Sequence, residues 1–296
     1  MDLHNCTLCP RKCGADRYNS TGFCGCGINI RAAKAYLHMW EEPCISGKNG
    51  SGTVFFSGCC MKCCFCQNYK ISSENLGKEI SVARLAEIFL ELQEKGAHNI
   101  NLVSPTPYVP QIIEALELCR DRLNIPIVYN TGGYERIETL KMLEGYVDIY
   151  LPDFKYYDNA LAEKYSSAGN YFETVTAALK EMYRQVGAYK IEDGIMRRGM
   201  IIRHLALPSH RHDSVKVLEW IAENFPKEDI LISLMSQYTP FYKSSLHKEI
   251  SRRISTFEYN FVLDRAEQLE LDGFMQEKSS AKEKYTPEFD FYGIIS

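Results

Sequence analysis

Twelve cysteines stand in this chain of 296 residues, and ten of them fall in two tight groups. Cys6, Cys9, Cys13, Cys24 and Cys26 lie near the start, and Cys59, Cys60, Cys63, Cys64 and Cys66 follow; only Cys44 and Cys119 stand apart. In a reducing compartment, thiols grouped in this way hold metal or carry redox chemistry more readily than they form disulfides. The second group contains Cys59-x3-Cys63-x2-Cys66, three thiols that a short loop can aim at one centre. A cubane iron–sulfur cluster has four iron corners held by thiolates, so three ligands leave one iron open. The same logic separates catalytic from closed zinc sites. The trio cannot slip by one position, because a set beginning at Cys60 and Cys64 needs its third thiol at 67, where Gln67 stands. A zinc knuckle is the competing reading, since Cys63-x2-Cys66 and Cys60-x2-Cys63 are acceptable zinc pairs.

The first group reads Cys6-x2-Cys9-x3-Cys13-x10-Cys24, four ligands from a stretch with little apolar content of its own. Such a stretch folds poorly without metal, and four thiolates close a coordination sphere. The spacing therefore predicts a second metal at Cys6, Cys9, Cys13 and Cys24, either a structural zinc or an auxiliary iron–sulfur cluster. Cys26, Cys44 and His38 are the substitutes within reach in sequence.

Elements that could position the central trio follow from the alternation of hydrophobic period between two and about 3.6 residues. Six strands are expected at 53–57, 100–103, 125–130, 147–151, 200–207 and 230–235. Helical patterns fill the gaps: Val82, Leu85, Ile88, Phe89 and Leu92 behind a Ser81 cap, Ile112, Leu116 and Cys119 behind Pro110, and further runs over 158–166, 173–189 and 215–225. This predicts an α/β fold of parallel β/α units with right-handed crossovers, and functional groups beyond the carboxyl ends of the strands. The polar residues Ser104, Thr106, Asn130, Asp153, Lys155, Gln237 and Tyr238 fall at those ends, and Arg203 and His204 on the fifth strand itself. Residues 1–48 read as a cysteine-rich extension, 49–275 as the core, and 276–296 as a tail whose mixed-charge part, Gln276 to Lys284, is a solvated segment.

With those residues in view, the loop Ser57 to Asn68 resembles the CxxxCxxC signature of the radical S-adenosylmethionine (SAM) superfamily, including Phe65 before the last cysteine and Gln67-Asn68 after it. The wider run from Trp40-Glu-Glu-Pro-Cys44 through Gly50 to Gly58 resembles the PflX-type subgroup, proteins related to pyruvate formate-lyase activating enzyme. The resemblance covers roughly residues 5 to 275 and departs from the family in the extra thiols Cys60 and Cys64. It implies a partial barrel of six parallel β/α units, with a [4Fe-4S] cluster on Cys59, Cys63 and Cys66 and SAM on the open iron. It also implies that Phe65, Ser104, Thr106, Asn130, Asp153 and Lys155 serve SAM, although the family's acidic residue near Ser104–Thr106 is absent. Asn130 replaces an aspartate that relatives place beside a cation site. Arg203 is read as the partner of the SAM carboxylate or ribose, with a structural ion pair to Asp153 as the alternative; Asp153 and Lys155 could instead pair with each other.

The activity so implied is that of an oxidoreductase. A donor of the flavodoxin or ferredoxin class reduces the cluster, SAM is cleaved to methionine and a 5′-deoxyadenosyl radical, and the radical takes hydrogen from a substrate. In the activase-like reading that substrate is a glycine of another protein. Radical modification of a different peptide or small molecule is the runner-up, and a non-catalytic iron–sulfur or zinc redox or interaction module is the non-enzymatic alternative. Composition narrows the rest. Lys+Arg number 34 against 38 Asp+Glu, a net charge of −4, which argues against nucleic acid as a partner on bulk electrostatics. With 45% hydrophobic and 24% charged residues, no uninterrupted apolar run long enough for a bilayer and no leader-like start, the expected location is the cytoplasm, away from membranes.

Overall fold

The computed structural model describes residues 2–275 and 287–295. In chain order the elements are β1 (Ile30–His38), α1 (Pro43–Ser46), β2 (Ser51–Phe56), α2 (Tyr69–Ser72), β3 (Lys78–Ile80), α3 (Val82–Glu94), β4 (Ile100–Val103) and α4 (Val109–Cys119). There follow β5 (Ile127–Thr131), α5 (Ile137–Met142), β6 (Ile149–Pro152), α6 (Asn159–Ser166), α7 (Tyr171–Val186), β7 (Lys190–Glu192) and β8 (Ile195–Leu205). The last are α8 (Arg211–Asn224), β9 (Leu231–Met235), α9 (Thr256–Gln268) and β10 (Gly273–Met275).

All six expected strands are present as β2, β4, β5, β6, β8 and β9. They lie side by side in that order, every neighbour parallel, and β10 adds one more parallel strand beyond β9. Spatial order equals chain order, so the sheet winds one way as a partial barrel and has no switch point of the doubly wound kind. β2, β4, β5 and β6 are buried at every position, as strands covered on both faces must be. The helices turn their apolar stripes inward: α3 buries Leu85, Ala86, Ile88, Phe89 and Leu92, and the Ser81 hydroxyl accepts the Arg84 N–H at 3.1 Å. Among the described residues no helix is long and apolar enough to cross a membrane.

The structure departs from the sequence expectation at both ends of the core. Within the segment read as a cysteine-rich extension, β1 forms and runs antiparallel to β2, and β3 pairs with β1. The run Ile30-Arg-Ala-Ala-Lys-Ala-Tyr-Leu-His38 is alanine-rich and carries two cations, a weak strand signal, so pairing with β2 rather than propensity makes it a strand. α5 and α9 were not anticipated, although α9 opens on a capping box in which Ser255 and Glu258 bond each other's backbone N–H groups. The expected solvated segment Gln276 to Lys284 lies outside the described residues. Beyond it the tail returns to the sheet. The Phe291 N–H donates to the Ala33 carbonyl at 3.0 Å, the Tyr292 carbonyl accepts the Ala35 N–H at 2.8 Å, and Phe289 stands edge-on to Phe55.

Candidate active site

The loop after β2 carries Cys59, Cys63, Phe65 and Cys66 over the carboxyl ends of the parallel strands, and all four side chains line a cavity of about 240 Å³. The same cavity meets Ser104 after β4, Asn130 and Thr131 on β5, Asp153 and Lys155 after β6, Arg203 on β8, and Gln237 and Tyr238 after β9. The fold thus brings together the trio and every sequence-derived SAM contact except Thr106.

Each thiol of the trio accepts a hydrogen bond. Cys59 Sγ takes the Met61 N–H at 3.4 Å, Cys63 Sγ the Ser166 hydroxyl at 2.9 Å, and Cys66 Sγ the Ser72 hydroxyl at 3.3 Å. A hydrogen bond from the Cys60 thiol, helped by backbone N–H groups, pulls the Cys59 thiol down to about 6, whereas burial pushes Cys63 up to about 12 and raises Cys66. The charge of Lys155 acts on all three in the direction of the thiolate. Three soft, hydrogen-bonded sulfurs facing a buried cation form a donor set suited to an iron–sulfur cluster. Among the described residues no three His, Cys, Asp or Glu side chains meet at a point where a single ion could sit. A cluster offers each thiolate its own iron, so the spread of the trio is compatible with a cluster.

Below the loop lies a charged layer. Arg203 Nε donates to Asp153 Oδ1 at 2.8 Å and Nη2 donates to Asn130 Oδ1 at 2.6 Å, while Nη1 reaches Glu41 Oε2 at 3.4 Å. Lys155 Nζ donates to the other Asp153 oxygen. Both ion pairs that the sequence left as alternatives are therefore made at once, on one aspartate. Burial alone would push the Asp153 carboxyl up, but Arg203 and Lys155 outweigh it and hold it below its ordinary value. Glu41 also accepts from Asn101 Nδ2 at 3.0 Å and Asn130 Nδ2 at 3.4 Å, and burial raises its carboxyl despite Arg203.

Glu41 was missed as a site residue. It sits on the turn after β1, and because β1 ends at His38 opposite Ser51, the first residue of β2, it enters the barrel from the end remote from the cysteine loop. The signal available was two adjacent carboxylates, Glu41 and Glu42, ahead of Pro43. Thr106 is the opposite case. Ser104 adopts a left-handed φ of 58° and Pro105 follows, so the chain turns under itself and Thr106 donates to Glu135 Oε1 at 2.5 Å instead of facing the cavity. Thr131 donates to the same oxygen. His204 is an interior histidine whose Nδ1 bonds the Phe154 carbonyl at 2.6 Å. Cys6, Cys9, Cys13 and Cys24 surround a second, smaller cavity with Cys60. Of their substitutes, His38 lines the main cavity, Cys44 packs with β5, β6 and β8, and Cys26 bonds the Ser57 carbonyl at 3.4 Å.

A parallel partial barrel thus carries three loop thiols above an ion-paired interior, a donor set suited to an iron–sulfur cluster. The chain belongs to the radical SAM superfamily, whose family profile matches residues 53–195. It is 32% identical over 278 residues to an uncharacterized protein of Methanocaldococcus jannaschii, an alignment covering 90% of this chain and 76% of that one. Among solved structures it is similar to SuiB of Streptococcus suis bound to its precursor peptide SuiA (TM-score 0.52, 15% identity, 74% of this chain and 46% of that one). It is also similar to methylornithine synthase (TM-score 0.50, 15% identity, 73% and 60%) and to a radical SAM methyltransferase from Sphaerobacter thermophilus (TM-score 0.50, 15% identity, 76% and 66%). The chain spans about half to two thirds of the length of these structures, and at such identity the likeness concerns the fold alone. The superfamily carries a [4Fe-4S] cluster and SAM.

Proposed function

We propose that this chain reductively cleaves SAM at a cluster held by Cys59, Cys63 and Cys66. The observation that carries the reading is the convergence of those thiols, Lys155 and the Asp153–Arg203–Glu41 layer on one cavity. When bound, the cluster supplies one electron to the SAM sulfonium, so that methionine and a 5′-deoxyadenosyl radical result. The chain's own residues do the rest. Lys155 offsets the charge of the thiolates from within hydrogen-bond reach of Asp153. Ser104, Asn130 and Thr131 present polar atoms along the cavity wall for the amino-acid and ribose ends of SAM, and Phe65, edge-on to Tyr238 at 5.7 Å, gives an apolar flank. Arg203 has its donors engaged by Asp153, Asn130 and Glu41, so it is a positioning residue that holds Asp153 and through it Lys155.

Anaerobically reconstituted protein with dithionite and SAM should release 5′-deoxyadenosine. Alanine at Cys59, Cys63 or Cys66 should abolish release and Cys64→Ala should retain it; no release from the intact chain would favour a non-catalytic module. For the substrate, a glycine of another polypeptide is supported by the resemblance of the run from Trp40 to Gly58 to relatives of pyruvate formate-lyase activating enzyme. Deuterium placed in a candidate polypeptide should then appear in the released 5′-deoxyadenosine, whereas transfer from a small molecule would redirect the assignment. A flavodoxin- or ferredoxin-class donor is the reductant that replaces dithionite in this scheme.

A further inference from the structure

Residues 2–28 contain no helix or strand, and their own apolar cluster is only Leu3, Cys6 and Leu8 with Ile28 against them. So small a core contributes little against the conformational entropy of ordering such a stretch. The segment is nevertheless fastened to the barrel by polar contacts. Arg11 Nε donates to the Cys60 carbonyl at 2.8 Å and Nη2 to the Ser166 carbonyl at 3.2 Å, Arg136 Nη1 donates to the Thr7 carbonyl at 2.5 Å, and the Thr139 hydroxyl to the Leu8 carbonyl at 2.6 Å. Where it meets the barrel there is a cavity of about 10 Å³ walled by five thiols.

Four of those thiols, Cys6, Cys9, Cys13 and Cys24, come from the segment, and the fifth, Cys60, comes from the loop that carries the trio. Cys9 and Cys60 face this cavity together, and Cys60 Sγ also donates to the Tyr134 carbonyl at 3.8 Å. Cys13 and Cys24 flank Gly22, where a Cβ would stand 3.1 Å from one sulfur and 3.6 Å from the other, so a larger residue there would intrude between them. None of the twelve cysteines is paired in a disulfide. Five free thiols around one cavity is a soft donor set that selects zinc or an iron–sulfur centre over hard cations. Because no three of them already meet at one ion-sized point, they would close on an ion by side-chain rotation or ring a larger centre.

We propose that this cavity is a second, thiolate-held metal site that welds residues 2–28 to the cluster loop, with Cys6, Cys9, Cys13 and Cys24 as its segment ligands and Cys60 as the thiol contributed by the loop. This gives Cys60, foreign to the family loop, a place outside the trio. It also links the two sites mechanically. Arg11 holds the carbonyl of Ser166, whose hydroxyl bonds Cys63 Sγ, so loss of the second metal should loosen the first site. The proposal stands independently of the SAM reaction.

The test uses the full chain carrying alanine at Cys59, Cys63 and Cys66 together, reconstituted anaerobically in one arm with zinc and in the other with ferrous iron and sulfide, then desalted and analysed for metal and sulfide. One arm should leave a stoichiometric centre, zinc alone or iron with sulfide, that persists through desalting. Adding Cys9→Ser with Cys24→Ser should remove it, Cys60→Ser should weaken retention at least several-fold, and Cys119→Ala, on α4, should change nothing. Retention that ignores Cys9, Cys24 and Cys60, or no retained metal in either arm, overturns the proposal. Should the Cys9/Cys24 variant fail to fold, Cys13→Ser, at an exposed position, supplies the same comparison: unchanged retention counts against the site and reduced retention for it.

Discussion

Replacing Arg203 by Gln isolates the energetic role of the charged layer. The side chain is 14% exposed, as is Asp153, and Glu41 is 10% exposed, so their attraction is only weakly screened by solvent. The substitution leaves Asp153 with Lys155 but strips Glu41, and the neighbouring buried Glu42, of the cation that faces them. Removing one partner of a buried pair costs about 3–5 kcal/mol. For a chain of this length that corresponds to a fall in melting temperature of roughly 6–10 °C. The pH dependence has a definite sign. Burial already raises the Glu41 and Glu42 carboxyls, and without Arg203 they rise further, so the folded variant binds protons more tightly than its unfolded chain. The stability deficit relative to the parent should therefore be largest near about pH 8 and shrink toward about pH 5, as the folded carboxyls take up protons. Thermal unfolding followed by far-UV circular dichroism at both pH values, on preparations matched for metal content, measures it. Glu41→Gln in the Arg203→Gln background should recover part of the loss. A deficit equal at the two pH values, with no recovery in the double variant, would refute the view that Arg203 neutralises buried carboxylates.

Glu135 provides a second pH signature. Burial pushes its carboxyl up to about 7 from an ordinary 4.5, opposed by hydrogen bonds from Thr106 and Thr131. The folded state thus binds this proton more tightly, the associated stability is present at low pH and is lost as pH rises through about 7, and the change totals about 3 kcal/mol. Glu135→Gln should flatten that slope in chemical denaturation curves; an unchanged slope would place the titration elsewhere. Gly133 sits at φ 79°, where an added Cβ would lie 2.3 Å from the Asp153 carbonyl oxygen and 2.8 Å from Val175. Gly133→Ala should cost more than the about 1–2 kcal/mol of left-handed strain alone, and because relief moves Asp153, 5′-deoxyadenosine release should fall with the melting temperature.

Much of this was legible in the chain itself. The six parallel strands could be read because strands buried on both faces appear as short apolar runs between helical periods, and their parallel pairing followed from that alternation. That Cys59, Cys63 and Cys66 share one cavity could be read because three thiols on one short loop are brought together by local geometry. β1 was not legible: alanines and two cations carry little strand preference, and the pairing that makes it a strand belongs to β2. Glu41 reaches Arg203 across 162 positions of chain, a contact that no local pattern reports. Thr106 was misplaced by a single left-handed residue, Ser104, which redirects the side chain without changing the spacing.

By itself, then, the sequence determined the donor chemistry, through the types and spacing of thiols on one loop, and the class of fold, through the period of its apolar residues. Tertiary structure alone decided which carboxylates share Arg203, that Thr106 serves Glu135 rather than the cavity, and that Cys60 faces the N-terminal thiols. The reason is physical: spacing constrains how far apart two side chains can be, but their direction is set by backbone turns and by packing partners distant in the chain.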